Sequence, residues 1–466
     1  MNPRQENPRP EPTAPQSVTR VALAASIGAM IEWYDFFIYG TAAALVFNKL
    51  FFTNLPPAIG TLVAFATFAV GYLARPVGAI IFGHMGDRIG RKTMLVLTMV
   101  IMGVATFIIG LLPTYSQVGL WAPVLLILMR VLQGIGVGGE YGGAVLMAVE
   151  YAPRGRRGYY GSWPQVGVPA GLLLASGMFS VLSLLPNEAF LSWGWRIAFL
   201  STIVLAIIGV YIRLQVLETP AFTKVKEAQE ESKVPFFDLL RTHRKQVLQG
   251  MGMRWIEGLT FNAYAVLAVA YATQYIHVPK TVVLNGIVIG AAFGVVLVPF
   301  YGHLSDKFGR KAVYGTGVAA MALFTFPSFA MIRTGSTPLI WLSIVLGLGI
   351  IYSAIYAPLA AFWAELFDTR VRYTGVGTVY QFSGIFASGL TPLIGVALLE
   401  YTGGQPWAFA AYMVAVALFS LIVMFFVPET HLKDINPVTS LDLEPVDPTM
   451  LIGNRFASRS TQPAGG

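Results

Sequence analysis

The sequence GHMGDRIGRK at residues 83–92 returns as GHLSDKFGRK at residues 302–311. Glycine, histidine, aspartate, a second glycine, arginine and lysine hold the same relative positions in both copies. Each copy is a short polar and basic stretch that lies between two long hydrophobic runs. A repeat of this kind indicates that the chain of 466 residues is built from two related halves.

The composition is typical of a membrane protein. Asp, Glu, Lys and Arg make up 12% of the chain, whereas soluble domains average about a quarter. Hydrophobic residues make up 55%, and the mean hydropathy is +0.65. The 48 glycines are suited to close helix packing in lipid. The absence of cysteine from the sequence excludes disulfides, thiol catalysis and cysteine metal sites.

Twelve hydrophobic stretches, in two sets of six, are long enough to cross a bilayer as helices. They predict an all-α membrane protein with twelve transmembrane helices in two pseudo-symmetric six-helix bundles. The expected parts are a disordered cytoplasmic tail (1–18), an N-terminal bundle (19–213), a cytoplasmic linker (214–246), a C-terminal bundle (247–428) and a second disordered cytoplasmic tail (429–466). The predicted spans are residues 20–46, 58–82, 93–112, 119–146, 163–185, 195–213, 247–275, 283–302, 312–332, 338–363, 374–398 and 406–427.

Most of the 31 lysines and arginines fall in loops on one side of these spans. Basic loops stay in the cytoplasm, so this distribution predicts that both termini are cytoplasmic. It also accounts for the net charge of +8, and a nucleic-acid partner is not needed to explain it. Apart from Arg20, Arg196 and Arg213 at the ends of spans, three cations lie inside the predicted spans, namely Arg75, Arg130 and Arg254.

Glu32 and Asp35 lie about one turn apart in the first predicted span, with Tyr39 on the same helical stripe. An ionisable group at the bilayer centre costs at least about 2.5–3.5 kcal/mol, so such residues point to function. Two neighbouring carboxylates in a dry cavity hold a proton tightly. We therefore predict proton coupling through Asp35 or Glu32, with Asp35 favoured. The alternative is that arginines neutralise both carboxylates, which then only orient the helices.

Arg75 and Arg130 are predicted to bind the substrate, because a guanidinium grips a carboxylate with two hydrogen bonds. Alternatively they are counter-ions of protein carboxylates, and both roles together would couple substrate to proton. Arg254 and Glu257, at positions i and i+3, would pair on their own helix. Their alignment with Glu32 across the repeat instead favours a site role, with Arg254 contacting substrate and Glu257 carrying a proton.

Further polar side chains in the spans are predicted to shape the substrate site, although helix packing is the alternative for each. These are Tyr39, Gln165, Tyr264, Tyr356 and Gln381.

The doubled G-x-x-x-D-[RK]-x-G-R-K stretches, and the seven-residue steps from Glu150 to Arg157 and from Glu365 to Arg372, resemble the major facilitator superfamily over about residues 20–430. Longer strings are similar to its metabolite:proton symporter family, and RWIE resembles the shikimate-type members. Those strings are IEWYDFFIYG (31–40), RPVGAIIFGHMGDRIGRK (75–92), RVLQGIGVGGEYGGA (130–144), WGWRIAF (193–199) and RWIE (254–257). The resemblance implies the major facilitator fold, transport by alternating access and a bacterial inner membrane.

Charged residues at the repeated stretches and at the Glu-to-Arg steps are predicted to close a cytoplasmic gate, a role that the resemblance favours. The alternative is that the basic residues only enforce topology. The first set is Asp87, Arg88, Arg91, Glu150 and Arg157, and the second is Asp306, Arg310, Glu365 and Arg372.

We therefore expect a proton-coupled symporter that imports a small organic acid, shikimate-like or another carboxylate. The coupling ion is H⁺, with no cofactor, no metal and no catalytic residue. Because Glu32, Asp35, Glu140 and Glu257 nearly balance the three arginines, a zwitterion such as a betaine or proline is the alternative substrate. A channel is the alternative of another class, and a membrane-embedded enzyme is a more distant one. The expected partners are the substrate and the lipid bilayer, without nucleic acid, and we expect a monomer.

Overall fold

Helices are the only regular secondary structure in the part of the chain that the computed structural model describes. That part comprises residues 18–89, 91–150, 152–153, 155–215, 235–367 and 371–433. The predicted all-α fold with twelve spans is confirmed, and the spans are labelled α1 to α12. The first six are α1 (Val18–Ala42, Ala43–Phe47 and Asn48–Leu50), α2 (Pro57–Ile89), α3 (Arg91–Leu111), α4 (Trp121–Val137 and Tyr141–Glu150), α5 (Arg157–Leu182) and α6 (Asn187–Ala189, Phe190–Gly194, Trp195–Leu200 and Thr202–Gln215).

The second half repeats this arrangement of six spans. A short helix, Pro235–Thr242, lies in the predicted linker 214–246, and residues 216–234 of that linker lie outside the described part. The spans are α7 (Arg244–Asn262, Ala263–Leu267 and Ala268–Gln274), α8 (Lys280–Phe308), α9 (Arg310–Arg333), α10 (Thr337–Ile344, Val345–Ile351, Tyr352–Tyr356 and Leu359–Leu366), α11 (Arg372–Gly384, Ile385–Gly389 and Thr391–Tyr401) and α12 (Trp407–Phe425).

The repeated stretches are continuations of helices and not loops. Helix α2 continues to Ile89, and α8 continues to Phe308, six residues beyond its predicted end at 302. Hydropathy predicts only the part of a helix that lies within the membrane. The backbone hydrogen bonds of α2 and α8 continue beyond it into polar sequence. Gly309, with φ 95°, ends α8 in a conformation that suits glycine, and α9 begins at the next residue.

We call the end of the bundle that carries residues 83–92 and 302–311 the motif face, and the opposite end the far face. Nine helices in the described part are long and apolar enough to cross a membrane. Helices α1, α3 and α7 fall outside that set. Helix α3 has a shorter apolar run, Val96–Leu111, whereas α1 and α7 carry the buried ionisable residues Glu32, Asp35, Arg254 and Glu257. These charged side chains lower the mean hydropathy of α1 and α7, although the fold buries them.

Two pairs of helices form the most extensive contacts between the two halves. Helix α5 packs along α8, and α2 packs against α11. These seams bring buried polar groups of the first half next to those of the second.

Candidate functional site

Helices α1, α2 and α4 bring three charged side chains together inside the first half. Asp35 and Arg75 are each 1% exposed, and Arg130 is 0% exposed. Glu32, which is 5% exposed, lies within electrostatic range of Asp35 and Arg75. These four predicted site residues therefore form one buried cluster.

Arg130 is held by neutral groups. Its Nη1 donates to Gln133 Oε1, and its Nη2 donates to the backbone oxygen of Phe68 at 3.3 Å. The guanidinium carbon lies 4.2 Å from the ring centroids of both Phe36 and Tyr39. Cation–π contacts of this kind stabilise a desolvated guanidinium without neutralising it.

Arg75 lies in an aromatic cage. Its guanidinium carbon is 4.2 Å from the ring centroid of Tyr72, 4.3 Å from that of Phe36 and 5.4 Å from that of Trp33. Within the described residues none of its three side-chain nitrogens has a hydrogen-bond partner. Since a guanidinium offers five N–H donors, Arg75 retains its full capacity to bind an anion.

Asp35 lies beside the Thr106 hydroxyl, yet within the described part of the chain neither of its carboxylate oxygens makes a hydrogen bond of normal geometry. Gln133 Nε2 donates to Thr106 Oγ1 at 2.9 Å and to the backbone oxygen of Asp35 at 3.2 Å. Gln133 also accepts from Arg130, so one amide connects the aspartate and the arginine. An ionised carboxylate with so few partners is costly in this environment, and protonation removes the cost.

Glycines set the distance between α2 and α4. A Cβ at Gly134 would lie 2.2 Å from the backbone oxygen of Gly71, and one at Gly78 would lie 2.0 Å from that of Ile135. A Cβ at Gly71 itself would lie 2.4 Å from Arg130 Nε. The two backbones are therefore in direct contact, and Gly71 leaves the space that the Arg130 side chain fills.

The second half contributes a separate charged group. Arg254 Nε lies 3.5 Å from Glu257 Oε2, so the predicted i, i+3 pair is present. Tyr352 donates to Glu257 Oε1 at 2.9 Å, and the Arg254 guanidinium lies 3.8 Å from the ring centroid of Tyr380 on α11. Tyr380 in turn stacks on Tyr141 of α4 with 3.4 Å between ring centroids. The group around Arg254 therefore extends to the contact between the two halves.

Three of the other predicted site residues lie on the seam. Gln381 Nε2 donates to the backbone oxygen of Gly138 at 3.0 Å, and Gln165 Nε2 donates to that of Tyr356 at 3.1 Å. Each bond joins the two halves. Within the described residues the amide oxygens of both glutamines and the Tyr356 hydroxyl have no partner of normal geometry, so they remain able to bind a polar ligand.

Tyr39 and Tyr264, which are 225 positions apart like Glu32 and Glu257, lie in different environments. The Tyr39 hydroxyl bonds to Thr67 Oγ1 at 2.7 Å while its ring lies under Arg130. Tyr264 is fully buried and donates to Ser328 Oγ on α9 at 2.7 Å. The structure therefore brings Tyr39 into the buried cluster, whereas Tyr264 contacts α9 and fits the packing alternative.

At the motif face, Asp306 of α8 accepts hydrogen bonds from the backbone N–H groups of Gly158 and Tyr159, both at 2.8 Å. These groups begin α5, so the carboxylate caps a helix of the other half, where the helix dipole favours negative charge. Arg310 Nη1 donates to Asp306 at 2.8 Å, and its Nη2 donates to Glu365 Oε1 at 3.0 Å. Three members of the second predicted gate set are thus joined.

The remaining gate residues differ from the two mirrored sets that the sequence predicts. Arg372 Nη1 lies 3.2 Å from Glu150 Oε1, which is an ion pair between the halves and not within one set. Arg157 is buried at the start of α5. The side chains of Asp87, Arg88 and Arg91 lie outside the described ones.

Glu429, just beyond α12, closes the N-terminus of α9. Its carboxylate accepts from the backbone N–H groups of Lys311 at 2.9 Å and Arg310 at 3.0 Å, and from that of Thr430 at 2.9 Å. Burial alone would raise the pKa of Glu429, but these backbone donors outweigh it and lower the pKa below its ordinary value. Residue 429, the predicted start of a disordered tail, is therefore part of the motif face.

Replacing Glu429 by glutamine should lower the melting temperature at neutral pH by about 2 °C, because it weakens a charged helix cap. A carboxyl whose pKa is lowered by folding stabilises the protein fully above its ordinary value of 4.5. The stabilisation is lost as pH falls through the lowered pKa, so the difference between wild type and variant should vanish in acid. Thermal unfolding in detergent against pH measures this. The exposed Glu188 provides the control, and an equal loss in Glu188→Gln would contradict the prediction.

Several residues of the site escape sequence reasoning, namely Phe36, Tyr72, Thr106, Gln133 and Tyr141. Gln133 is the one with a usable signal, because it lies three residues after Arg130 and shares its helix face. The others are apolar or aromatic residues, or a hydroxyl on another helix, which resemble ordinary packing in the sequence.

Residues 21–238 match the family described as "Sugar (and other) transporter", and residues 250–460 match "Major Facilitator Superfamily". A shikimate transporter of Escherichia coli K12 is 40% identical over 88% of this chain and 95% of its own. A proline/betaine transporter of the same organism is 34% identical over 90% and 85%. The solved proton:xylose symporter XylE, bound to 6-bromo-6-deoxy-D-glucose, shares the fold with a TM-score of 0.71 at 17% identity, covering 91% of this chain and 98% of its own.

Twelve helices with buried charges at the seam of two related halves define a multi-pass membrane transporter, and the relatives are transporters and not enzymes. The chain belongs to the major facilitator superfamily and, within it, to the metabolite:proton symporter family.

Proposed function

We propose that the protein is a proton-coupled symporter that carries a small organic anion. The observation that carries the proposal is Arg75, a fully buried cation whose three nitrogens have no hydrogen-bond acceptor within the described residues. Arg130 adds a second buried cation, and its acceptors among the described residues are neutral. Two such groups on touching helices form a site in which a carboxylate would gain charge-assisted hydrogen bonds that water does not supply.

The proton site is Asp35, with Glu32 as its neighbour. Asp35 has the weakest polar environment of the buried acids described, whereas Glu257 is paired with Arg254 and Tyr352. A bound anion neutralises part of the positive charge of the buried cluster that contains Asp35, and Gln133 connects Arg130 to the backbone of Asp35. Loading of the anion and retention of the proton therefore favour each other, which is the coupling a symporter needs.

The motif face is cytoplasmic in this proposal, because most of the lysines and arginines lie at that end. Both termini are then cytoplasmic, and the far face meets the outside of the cell. Asp306 caps α5, and Arg372 forms an ion pair with Glu150, so both contacts join the halves at the motif face. Together they form the inner gate, which opens when substrate is released.

A zwitterion is the second candidate substrate. Glu257 lies beside the stacked rings of Tyr352 and Tyr356, whose centroids are 5.3 Å apart, and a carboxylate beside aromatic faces suits a quaternary ammonium group. A betaine would place its carboxylate on Arg75 or Arg130 and its cation beside Glu257. The 34% identity to a proline/betaine transporter is consistent with this alternative.

Uptake into proteoliposomes tests both candidates and the transport class. Labelled shikimate, proline and glycine betaine are offered with and without an inward proton gradient. We expect accumulation of shikimate that collapses with a protonophore, and labelled uptake that accelerates when unlabelled shikimate is preloaded. Proton-dependent accumulation of betaine alone would support the zwitterion. Uptake that preloading does not accelerate would indicate a channel.

A further inference from the structure

A pocket of about 200 Å³ opens on the far face between the two halves. The first half supplies Asn48 and Lys49 from the end of α1 and Asn187 from the start of α6. The second half supplies Gln274 from the end of α7 and Lys280 from the start of α8. We call this pocket, with its two lysines, the vestibule.

Two residues that line the vestibule, Asn48 and Gln274, donate hydrogen bonds to Thr61, and one of these bonds joins the halves. Asn48 Nδ2 donates to Thr61 Oγ1 at 3.0 Å, and Gln274 Nε2 donates to the same oxygen at 3.1 Å. Thr61 belongs to α2 and Gln274 to α7, so this contact joins the two halves at the far face. A solute that enters from this side reaches the vestibule before it reaches Arg75 and Arg130.

The vestibule contains two positive charges and no compensating acid within the described residues. Lys49 is exposed, and Lys280 Nζ lies 3.4 Å from the ring centroid of Phe190. Glu188, the acid next to Asn187, is exposed and forms an ion pair with neither lysine. Like charges that line one small pocket repel each other, and an anion between them removes the repulsion.

The chain before Lys280 is held in a conformation that side chains rarely adopt. His277 has φ 61°, which makes it the non-glycine residue with positive φ in the described part. Such strain persists only where surrounding contacts impose it, and it occurs often at ligand sites. Here it fixes the short turn that presents Val278 and Lys280 to the pocket.

We propose that the vestibule is an anion-binding site that receives a small carboxylate from outside before the outer contact opens. The inference rests on the proposed function for the class of ligand, and it adds a second site that is distinct from the buried arginines. Binding at Lys49 and Lys280 raises the local concentration of anion at the entrance. Electrostatic capture of this kind raises association rates by about 10-fold or more.

Transport from the two sides tests the proposal, with labelled shikimate as the probe. In right-side-out membrane vesicles, the double variant Lys49→Gln/Lys280→Gln should raise the KM for uptake about tenfold, with little change in the maximal rate. In inside-out vesicles its KM should equal that of wild type, because solute then enters from the motif face. Added salt should raise the wild-type KM from outside and change the variant less. If the double variant leaves the KM in right-side-out vesicles unchanged, or raises the KM equally in both kinds of vesicle, the proposal for the vestibule is wrong.

Matched variants separate charge from folding. Lys49→Arg/Lys280→Arg retains both cations and should keep the wild-type KM. Arg333 lies at the far-face end of α9, outside the pocket, and it is the control for net charge on this face. Arg333→Gln should leave the KM for uptake unchanged. If wild type transports no small organic anion, the proposed function fails. If wild type transports the anion and the double variant leaves its KM unchanged, only the proposal for the vestibule fails.

Footprinting gives a readout independent of transport. Shikimate should protect Lys49 from acetylation by an amine-reactive ester, and the protection should persist in Arg130→Ala, where the buried site is damaged. Loss of protection in that variant would show that the buried site alone binds the anion. Repeating both measurements in phosphatidylcholine without anionic lipid distinguishes the sources of anion. An effect of the lysines that requires anionic lipid would assign the pocket to a headgroup and refute the proposal.

Discussion

Replacing Asp35 by asparagine should abolish accumulation driven by a proton gradient while exchange of substrate across the membrane continues. Asparagine has nearly the same shape as aspartate, but it cannot bind or release a proton. Counterflow of labelled against unlabelled substrate needs only the loaded carrier to reorient. The measurement is the accumulation ratio in proteoliposomes under an inward proton gradient, followed by counterflow without a gradient.

Glu32→Gln is the control for the Asp35 prediction, because Glu32 is the neighbouring carboxylate on the same helix. If Asp35 carries the proton, Glu32→Gln retains gradient-driven accumulation. Full accumulation by Asp35→Asn would contradict our assignment, and failure of Glu32→Gln alone would transfer the proton to Glu32. Loss of both accumulation and counterflow in Asp35→Asn, with a normal melting temperature, would mean that the aspartate is needed for reorientation.

Replacing Arg130 by lysine should raise the dissociation constant of the transported anion by at least about 30-fold, which corresponds to about 2 kcal/mol. Lysine keeps the charge, but it cannot supply a planar pair of donors to a carboxylate while also holding Gln133. Arg130→Ala should lose more, because it removes the charge and the contacts with Phe36 and Tyr39. Binding of labelled anion to purified protein measures both effects.

Arg196 is the matched control for Arg130. Its Nη1 donates to the backbone oxygens of Gly110 and Leu112, both at 2.7 Å, so it supports the end of α3 and is distant from the buried cluster. Arg196→Lys should lower the melting temperature and leave the dissociation constant unchanged. Unchanged affinity in Arg130→Ala would reduce Arg130 to a structural counter-ion and would move the substrate to Arg75 or Arg254.

Much of the fold follows from patterns that repeat at long range. Hydrophobic length predicts the twelve spans, and the duplicated stretches predict two halves, because both depend only on what lipid and symmetry require. Helix ends are different. Ile89 and Phe308 lie well inside polar sequence, and the backbone hydrogen bonds that carry α2 and α8 that far leave no trace in hydropathy.

The site shows the same division. Glu32, Asp35, Arg75 and Arg130 are predicted individually because charge in a span is rare, and the structure brings them together. Their partners could not be predicted, since Phe36, Tyr72 and Thr106 acquire their role only from the angle at which helices cross. The pairing of Glu150 with Arg372 was missed for a related reason, because a sequence repeat favours contacts within each half over contacts between halves.

The glycine contacts between α2 and α4 separate selection from motion. Arg75 and Arg130 project from two backbones that touch at Gly71 and Gly134. In the proposed transport cycle we therefore expect the gap between these cations to stay constant while the two halves move. A preformed gap selects a ligand of matching size before the halves move, and the two arginines need no reorganisation to bind it. Arg254 belongs to the other half, so in the proposed cycle we expect its distance to the bound ligand to change. Only contacts that differ between two conformational states shift the equilibrium between them. In the proposed cycle, Arg75 and Arg130 therefore select the ligand, whereas Arg254 favours one conformational state over the other.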